Sequence, residues 1–276
     1  MVSIEEYGEY ETAWCPGCGN FSIIKCLKQA LAEQDLAPHD IIISSGIGQA
    51  AKLPHYMRCN MFNGLHGRSL PVAQGIKMAN PEIPVIVTSG DGCSYGEGGN
   101  HFLAALRRNM DLTVLVHDNQ IYGLTKGQAS PTTARGHVTK AQPEGNRSDG
   151  FNPVATTVAM RASFVARAFT GEPGHLVATI KEAMTHRGFS LVDILQPCVS
   201  FNKVNTYAWY KERVHILEDH DPTDWAAAMT LSEEFGDRIP LGVIYREDKP
   251  VFGLGGRLAE HAYDKNDLKA VLQSYT

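Results

Sequence analysis

Short continuous runs of apolar residues recur along the first 200 residues of the chain, and most of them end at glycine, aspartate or asparagine. Runs rich in β-branched residues with such boundaries are typical of parallel strands that are covered on both faces. The pattern predicts five strands, at Ile41–Ser45, Ile83–Ser89, Leu112–His117, Ser163–Phe169 and Ser190–Leu195.

Segments with helical spacing of apolar residues lie between these runs. The first is predicted to begin after Asn20, a residue type that often caps helices, and the three segments are Phe21–Glu33, Asn100–Arg108 and His175–Arg187. Strands that alternate with helices predict an α/β fold with an open, doubly wound, mostly parallel sheet. Ligands of such sheets bind at the carboxyl ends of the strands.

Two segments interrupt this alternation. Residues 130–153 are rich in Gly, Pro, Ser and Thr and predict a long loop, which in a compact domain is usually functional or disordered. From Phe201 onward the pattern is irregular and aromatic. We therefore expect a binding domain over residues 1–200, with an N-terminal cysteine segment, and an irregular C-terminal extension over residues 201–276 that wraps the core or a partner.

Composition narrows the class of protein. The chain has 276 residues, of which 43% are hydrophobic, and a formal net charge of −5. These values favour a globular protein and argue against nucleic-acid binding. No apolar run approaches the roughly 20 residues of a membrane helix, and the acidic N-terminus lacks the apolar core of a signal peptide. We expect a cytoplasmic protein without membrane contact.

Polar residues follow two predicted strands that are consecutive along the chain. Gly90-Asp91-Gly92 closes one strand and Asn119 follows the next. A carboxylate and an amide oxygen at one sheet edge suit Mg²⁺, and nearby glycines (Gly92, Gly96, Gly98 and Gly99) leave backbone N–H groups for a phosphate. Taken singly, each motif is also explained by a tight turn or a helix cap.

Six cysteines are scattered through the chain, and Cys15 and Cys18 form a C-x-x-C pair in a Pro-Gly turn. Two thiolates at this spacing bind a metal or an iron–sulfur cluster, are redox-active, or form half of a zinc site. The pair alone does not distinguish these alternatives.

The order of the motifs resembles one family, the thiamine-diphosphate-bearing β subunits of 2-oxoacid:ferredoxin oxidoreductases. The resemblance extends from Trp14 to Tyr210. It rests on W-C-P-G-C-G, G-I-G, L-H-G-R, G-D-G, N-Q-I-Y-G-L-T-K-G-Q and Q-P-C followed by F-N-K-V-N, which begin at Trp14, Gly46, Leu65, Gly90, Asn119 and Gln196.

The resemblance implies thiamine diphosphate bound through Mg²⁺, with Asp91, Asn119 and the carbonyl of Ile121 as metal ligands. Asp118 stands where the signature often has a second Asn, which is not itself a ligand. The other residues expected at the cofactor are Gly46, Ile47, Gly48, His66, Gly90, Gly92, Cys93, Gly123, Leu124 and Thr125.

The resemblance also implies a 4Fe–4S cluster on Cys15, Cys18 and Cys198. Many family members have a fourth cysteine directly after G-I-G, where this chain has Gln49, a poor ligand for such a cluster. We expect Cys59 to replace it, rather than Cys93, which is too near the cofactor, or Cys26, which belongs to a helix core. A cluster with three thiolates and an open site is the alternative.

The activity implied is coenzyme-A-dependent oxidative decarboxylation of a 2-oxoacid, with electrons passed to ferredoxin. His66 is a candidate contact to the thiazolium or substrate, and Lys52 and Lys126 are candidates for the substrate carboxylate. Family members with Lys at position 126 tend to take 2-oxoglutarate or a broader set of 2-oxoacids, so we expect conversion of 2-oxoglutarate to succinyl-CoA and CO₂, or the reverse reaction. Pyruvate and a broad substrate range are alternatives.

The partners implied are an α subunit, which completes the cofactor site in an αβ heterodimer that dimerises again, and ferredoxin. Two other functions would explain some of these motifs but not all of them. A thiamine-diphosphate enzyme without a cluster would leave Cys15 and Cys18 idle, and a zinc-stapled α/β binding module would have no catalysis.

Overall fold

The computed structural model describes residues 1–253 and 273–274 and contains an open sheet of eight strands. Their order across the sheet is β2-β1-β3-β4-β6-β5-β8-β7, and every pair is parallel except β5 with β8. The strands are β1 Ile42–Ser45, β2 Asn60–Asn63, β3 Val85–Gly90, β4 Leu112–Asp118, β5 Phe164–Phe169, β6 Phe189–Leu195, β7 Val214–Ile216 and β8 Ile239–Arg246.

Helices cover both faces of the sheet, as the alternating pattern predicted. The α-helices are α1 Asn20–Glu33, α2 Ser69–Ala79, α3 Gly99–Arg108, α4 Pro153–Ala159, α5 Pro173–Thr185, α6 Tyr207–Lys211 and α7 Trp225–Glu233. Two 3₁₀ helices occupy Ile4–Tyr7 and Ala50–Tyr56, and a π-helix occupies Gly92–Glu97. None of the described helices is long and apolar enough to cross a membrane.

Successive strand residues point to opposite faces, which divides the apolar core in two. Ile86 of β3 packs with α1 and α5 on one face, whereas its neighbours Val85 and Val87 pack with α2, α3, α4 and α7 on the other. All five predicted strands and all three predicted helices are present, with ends shifted by one to a few residues. The α/β prediction with a mostly parallel sheet is confirmed.

Three local predictions differ from the structure. Asn20 is the first residue of α1 rather than its cap, because its side-chain Oδ1 contacts His117 Nδ1 at 2.7 Å inside the core. The edge strand β2 lies in a segment for which the sequence pattern predicted no strand. Residues after Phe201, expected to be irregular, form α6, β7, α7 and β8.

The last two strands join the main sheet, so the described part of the C-terminal segment completes the core. Residues 254–272 and 275–276 of the predicted extension lie outside the described residues. The division at residue 200 and the wrapping of a partner stay predictions.

Strand register brings the carboxyl ends of β3, β4 and β6 to one edge of the sheet. Gly90 pairs with His117, and Asp118 pairs with Leu195. The residues that follow these strands (Asp91, Asn119 and Gln196) therefore emerge side by side.

Candidate functional site

A cleft opens where β1, β3 and β4 end, and the residues predicted at the cofactor converge on it. All of them except Gly46 line this central cleft. Gly46 lines an adjoining cleft, which shares Ile47, Gly48 and Leu124 with the central one. The lining residues of the central cleft are Ile47, Gly48, Gln49, Ala50, His66, Gly90, Asp91, Gly92, Cys93, Asn119, Ile121, Tyr122, Gly123, Leu124 and Thr125.

Asp91 is buried at the base of this cleft, and the long loop reaches back to it. The Thr132 hydroxyl lies 2.8 Å from a carboxylate oxygen of Asp91 and 2.8 Å from one of Asp118. A hydroxyl has one proton and can donate to only one of them. The other carboxyl must therefore hold a proton to complete the bridge.

Burial explains which carboxyl keeps the proton. Burial raises the pKa of Asp91 to about 6. Burial, together with the charges of Asp193 and Asp91, raises the pKa of Asp118 well above its usual value. Of the two carboxyls, Asp118 has the more strongly raised pKa and more readily holds the shared proton, which leaves Asp91 as the carboxyl that more readily ionises.

The turn after β4 holds the Asn119 amide in one orientation. Asn119 Oδ1 accepts from the Ile121 N–H at 3.0 Å, and its Nδ2 donates to Gln196 Oε1 at 3.3 Å. Between them Gln120 has φ of 58°, a left-handed conformation that costs a non-glycine residue about 1–2 kcal/mol. The Thr133 hydroxyl, which donates to the Gln120 carbonyl at 2.6 Å, helps to hold this strained turn.

The wall of the cleft is packed too closely for side chains at two glycines. A Cβ at Gly92 would lie 2.2 Å from the Tyr122 ring, and a Cβ at Gly46 would lie 2.5 Å from Cys93 Sγ. Tyr122 also donates from its hydroxyl to Glu97 at 3.0 Å. His66 Nδ1 lies 3.3 Å from the same carboxylate, so Glu97 joins the two aromatic residues at the mouth of the cleft.

This donor set fits a divalent cation with a diphosphate. It offers one carboxylate that becomes charged near pH 6, one fixed amide oxygen and a wall of glycine backbone, which are the groups that Mg²⁺ and phosphate prefer. The structure thus brings together Asp91, Asn119 and Ile121, the three predicted metal ligands.

The turn of residues 14–19, here called the cysteine turn, packs against the segment that follows β6. Gly17 has φ of 79°, and a Cβ there would lie 3.7 Å from Val199 Cγ1. Burial raises the pKa of Cys18 to about 11, and the nearby thiols of Cys198 and Cys15 add to this rise. Cys18 therefore lies within electrostatic reach of both other thiols, although among the described residues no three His, Cys, Asp or Glu side chains form a group that could hold a metal ion.

The remaining cysteines lie elsewhere. Cys26 is buried in the core beside α5, as predicted. Cys93 accepts from the Gly67 N–H at 3.2 Å in the wall of the cleft. Cys59 packs against the same core as Cys18, but its thiol donates to the Pro54 carbonyl at 3.9 Å and burial alone raises its pKa to about 12. No contact among the described residues joins Cys59 to Cys15, Cys18 or Cys198, so its role as fourth ligand stays a prediction.

The two candidate lysines occupy different places. Lys52 lines the adjoining cleft, next to the central one. Lys126 lies exposed in the turn closed by the Tyr122–Gln128 bridge, with φ of 72°, and it lines neither cleft.

Three residues at the site were missed from the sequence. Thr132 lies in the predicted long loop, whose length did suggest a function, but nothing marked this threonine. Tyr122 and Gln196 belong to quoted motifs, yet their contacts with Gly92, Asn119 and Cys18 depend on the tertiary structure.

Comparisons with known families agree with this geometry. A family model described as the thiamine pyrophosphate enzyme C-terminal TPP-binding domain matches residues 45–194. A second, described as the C-terminal part of the pyruvate ferredoxin oxidoreductase beta subunit, matches residues 198–254.

Individual proteins are similar over most of the chain. The β subunit of 2-oxoacid:ferredoxin oxidoreductase 1 from Aeropyrum pernix is 46% identical over 84% of this chain and 77% of its own length. The 2-oxoglutarate synthase subunit KorB from Methanocaldococcus jannaschii is 34% identical over 87% and 89%. A solved 2-oxoglutarate:ferredoxin oxidoreductase from Magnetococcus marinus, with 2-oxoglutarate, coenzyme A and succinyl-CoA bound, has a TM-score of 0.88 at 35% identity and covers 98% of this chain and 96% of that chain.

Proposed function

Because the chain belongs to the β subunits of the 2-oxoacid:ferredoxin oxidoreductases, we propose that it supports the oxidation of 2-oxoglutarate with coenzyme A to succinyl-CoA and CO₂. The chain is a subunit of a thiamine-diphosphate-dependent oxidoreductase. The preference for 2-oxoglutarate is supported by the relatives named KorB and by the similar structure with 2-oxoglutarate bound.

In this proposal Asp91, Asn119 and the Ile121 carbonyl hold the Mg²⁺ that anchors the diphosphate. Thiamine diphosphate, when bound, supplies the electron sink for decarboxylation. Asp91 contributes the charge and Asn119 a fixed dipole, and Gly92 lets its backbone approach the Tyr122 ring closely in the wall of the cleft. His66, held beside Glu97, is the side chain of the chain best placed to contact the reacting end.

Lys52 is the better placed of the two lysines for the substrate carboxylate, since it lines the cleft that adjoins the central one. Lys126, exposed in its turn, would act on substrate only after a rearrangement or at a surface shared with a partner. An ammonium group close to a dianionic oxoacid would neutralise part of its charge.

Cys15, Cys18 and Cys198 are proposed to bind a 4Fe–4S cluster that passes electrons to ferredoxin, with Cys59 or an open position as the fourth site. The observation that carries the proposal is that the Gln196 side chain alone separates Cys18 from Asn119, while Cys198 and Cys15 lie near enough to Cys18 to raise its pKa. An α subunit is proposed to complete the site, as the β-subunit names of the relatives imply. The enzyme is proposed to act in the cytoplasm, and it could run the reaction in either direction.

The test is co-expression with the α subunit, followed by coenzyme-A-dependent reduction of a dye with 2-oxoglutarate, pyruvate and 2-oxobutyrate in turn. We expect bound thiamine diphosphate and iron, and a kcat/KM that is highest for 2-oxoglutarate. Similar values for all three would favour a broad substrate range, which is compatible with the general term 2-oxoacid in the name of the Aeropyrum pernix relative. A complex that holds neither cofactor would contradict the proposal, and the chain without its α subunit is the control.

A further inference from the structure

A single buried glutamine lies between the cysteine turn and the proposed Mg²⁺ ligand. Gln196 is 1% exposed. Its Nε2 donates to Cys18 Sγ at 3.3 Å, and its Oε1 accepts from Asn119 Nδ2 at 3.3 Å. Its backbone N–H donates to the Asp118 carbonyl at 2.8 Å, which fixes the residue at the end of β4.

The packing around this side chain leaves it little freedom. A Cβ at Gly19, the last residue of the cysteine turn, would lie 2.5 Å from Gln196 Cγ. The start of α1 therefore approaches the glutamine as closely as a residue without a side chain allows. Because the Gln196 side chain is already confined, it loses little further conformational entropy when it forms both hydrogen bonds.

The hydrogen bonds also fix which end of each amide faces which group. Asn119 Oδ1 accepts from the Ile121 N–H, so its NH₂ must face Gln196. Gln196 must then present its oxygen to Asn119 and its NH₂ to Cys18. The donors all point the same way, from the turn that follows β4 toward the cysteine thiol.

We propose that Gln196 is a positioning residue that couples the two halves of the site. Its N–H stabilises negative charge on the Cys18 sulfur, and its carbonyl keeps the Asn119 oxygen directed at the cation. The inference rests on the proposed function, because it requires a cluster on Cys18. Hydrogen bonds to cluster sulfurs favour the more negative, reduced state and so raise the reduction potential.

Two substitutions separate the two roles. In its ionised form, Gln196→Glu keeps an acceptor for Asn119 but has no donor for Cys18. Gln196→Met keeps the length of the side chain and remains uncharged, but it removes both the donor and the acceptor. Gln29→Glu, on an exposed part of α1, adds the same charge without touching the site.

The test uses the purified αβ complex, with iron and thiamine diphosphate measured first and the cluster potential then measured by EPR-monitored titration. Both variants should make reduction less favourable by about tenfold, which for one electron is about 59 mV, whereas Gln29→Glu should not. The affinity for Mg²⁺ and thiamine diphosphate should fall about tenfold or more in Gln196→Met and stay near wild type in Gln196→Glu.

The outcomes of these measurements test the coupling role of Gln196 separately from the proposed oxidoreductase function. An unchanged potential in Gln196→Met, with the cluster fully loaded, would overturn the coupling role even if Gln196→Glu shifts, since charge alone explains the latter. If Gln196→Glu loses the cluster and Gln196→Met keeps it with a shifted potential, the coupling role is supported. A wild-type complex without iron would overturn the proposed function itself.

Discussion

At the scale of single residues, the site depends on two buried carboxyl groups that share one hydroxyl. Asp91 and Asp118 both contact the Thr132 hydroxyl, yet they differ in their expected charge, because Asp118 has the more strongly raised pKa. We therefore expect these two aspartates, although similarly buried, to have different roles, with Asp91 binding the cation and Asp118 acting within the protein.

This difference gives a matched pair of variants. Asp91→Asn should weaken the binding of Mg²⁺ with thiamine diphosphate by roughly 100-fold or more, about 3 kcal/mol, because the cation loses its charged ligand. Asp118→Asn should change the affinity by less than about threefold, because it leaves the Asp91 carboxylate in place and its amide oxygen still accepts from the Gln120 N–H. Calorimetric titration measures both, and equal losses in the two variants would contradict the assignment.

The raised pKa of Asp91 also predicts a pH dependence. Below its folded pKa of about 6 the carboxyl is protonated, so a cation must displace a proton in order to bind. In the cofactor-free protein the same shift removes stability as the pH rises from the usual value of an aspartate through about 6. Bound Mg²⁺ offsets this loss, so the increase in Tm caused by Mg²⁺ and thiamine diphosphate should grow between about pH 5 and about pH 7.5.

Thermal melts over this range, with and without the two ligands, check the dependence. Asp91→Asn is the control that should lack it. An increase in Tm that stays constant with pH in the wild-type protein would show that Asp91 does not titrate at the cation site.

The cysteines make a third prediction at this scale. Cys198→Ser should lose most of the bound iron of the αβ complex, since the thiolate of Cys198 adjoins Cys18. Cys26→Ser should keep it, because Cys26 lies in the core and contacts the Pro173 carbonyl. Iron analysis and absorbance near roughly 400 nm measure both. A Cys59→Ser variant with a full cluster would leave three thiolates and an open position.

At the scale of elements, the Gly92–Glu97 π-helix and the turn of residues 119–128 must fit against each other. Gly92→Ala should cost about 1–3 kcal/mol of stability and weaken thiamine diphosphate binding, since the added methyl group displaces the Tyr122 ring. Gly99→Ala, the control, meets open space at the start of α3 and should be neutral or slightly stabilising. Denaturant unfolding and ligand titration measure both variants, and equal stability would show that the ring moves at no cost.

The elements that the sequence revealed are those with an unbroken pattern. The continuous apolar runs of β3 and β4 correctly predict buried parallel strands, and the Asp and Asn that follow them predict the candidate cation site. Strand β2 was missed because all its residues are exposed, and β8 because Pro240 and Gly242 interrupt its run. The contacts of Thr132 and Gln196 were out of reach, since they join segments far apart in the chain.

At the scale of the whole molecule, exposed apolar side chains gather on the β2 side of the clefts. Leu65 is 74% exposed next to His66, and Phe62 of β2 is 50% exposed. Ile47 and Leu124 line both clefts and are also exposed. Large exposed apolar groups beside a site indicate an interaction surface, and we expect the α subunit to cover them.

A charge at the most exposed of these positions should prevent assembly. Leu65→Asp should leave the isolated chain folded, because the side chain is largely in solvent, and should weaken binding of the α subunit by roughly 100-fold, since a buried, unpaired carboxylate is costly at an interface. Ile216→Asp is the matched control, because Ile216 is 46% exposed on β7 at the opposite end of the sheet. Light scattering of the co-purified subunits measures assembly for both. If Leu65→Asp assembles normally and Ile216→Asp does not, the α subunit covers the β7 edge, and the clefts are completed by another part of the assembly.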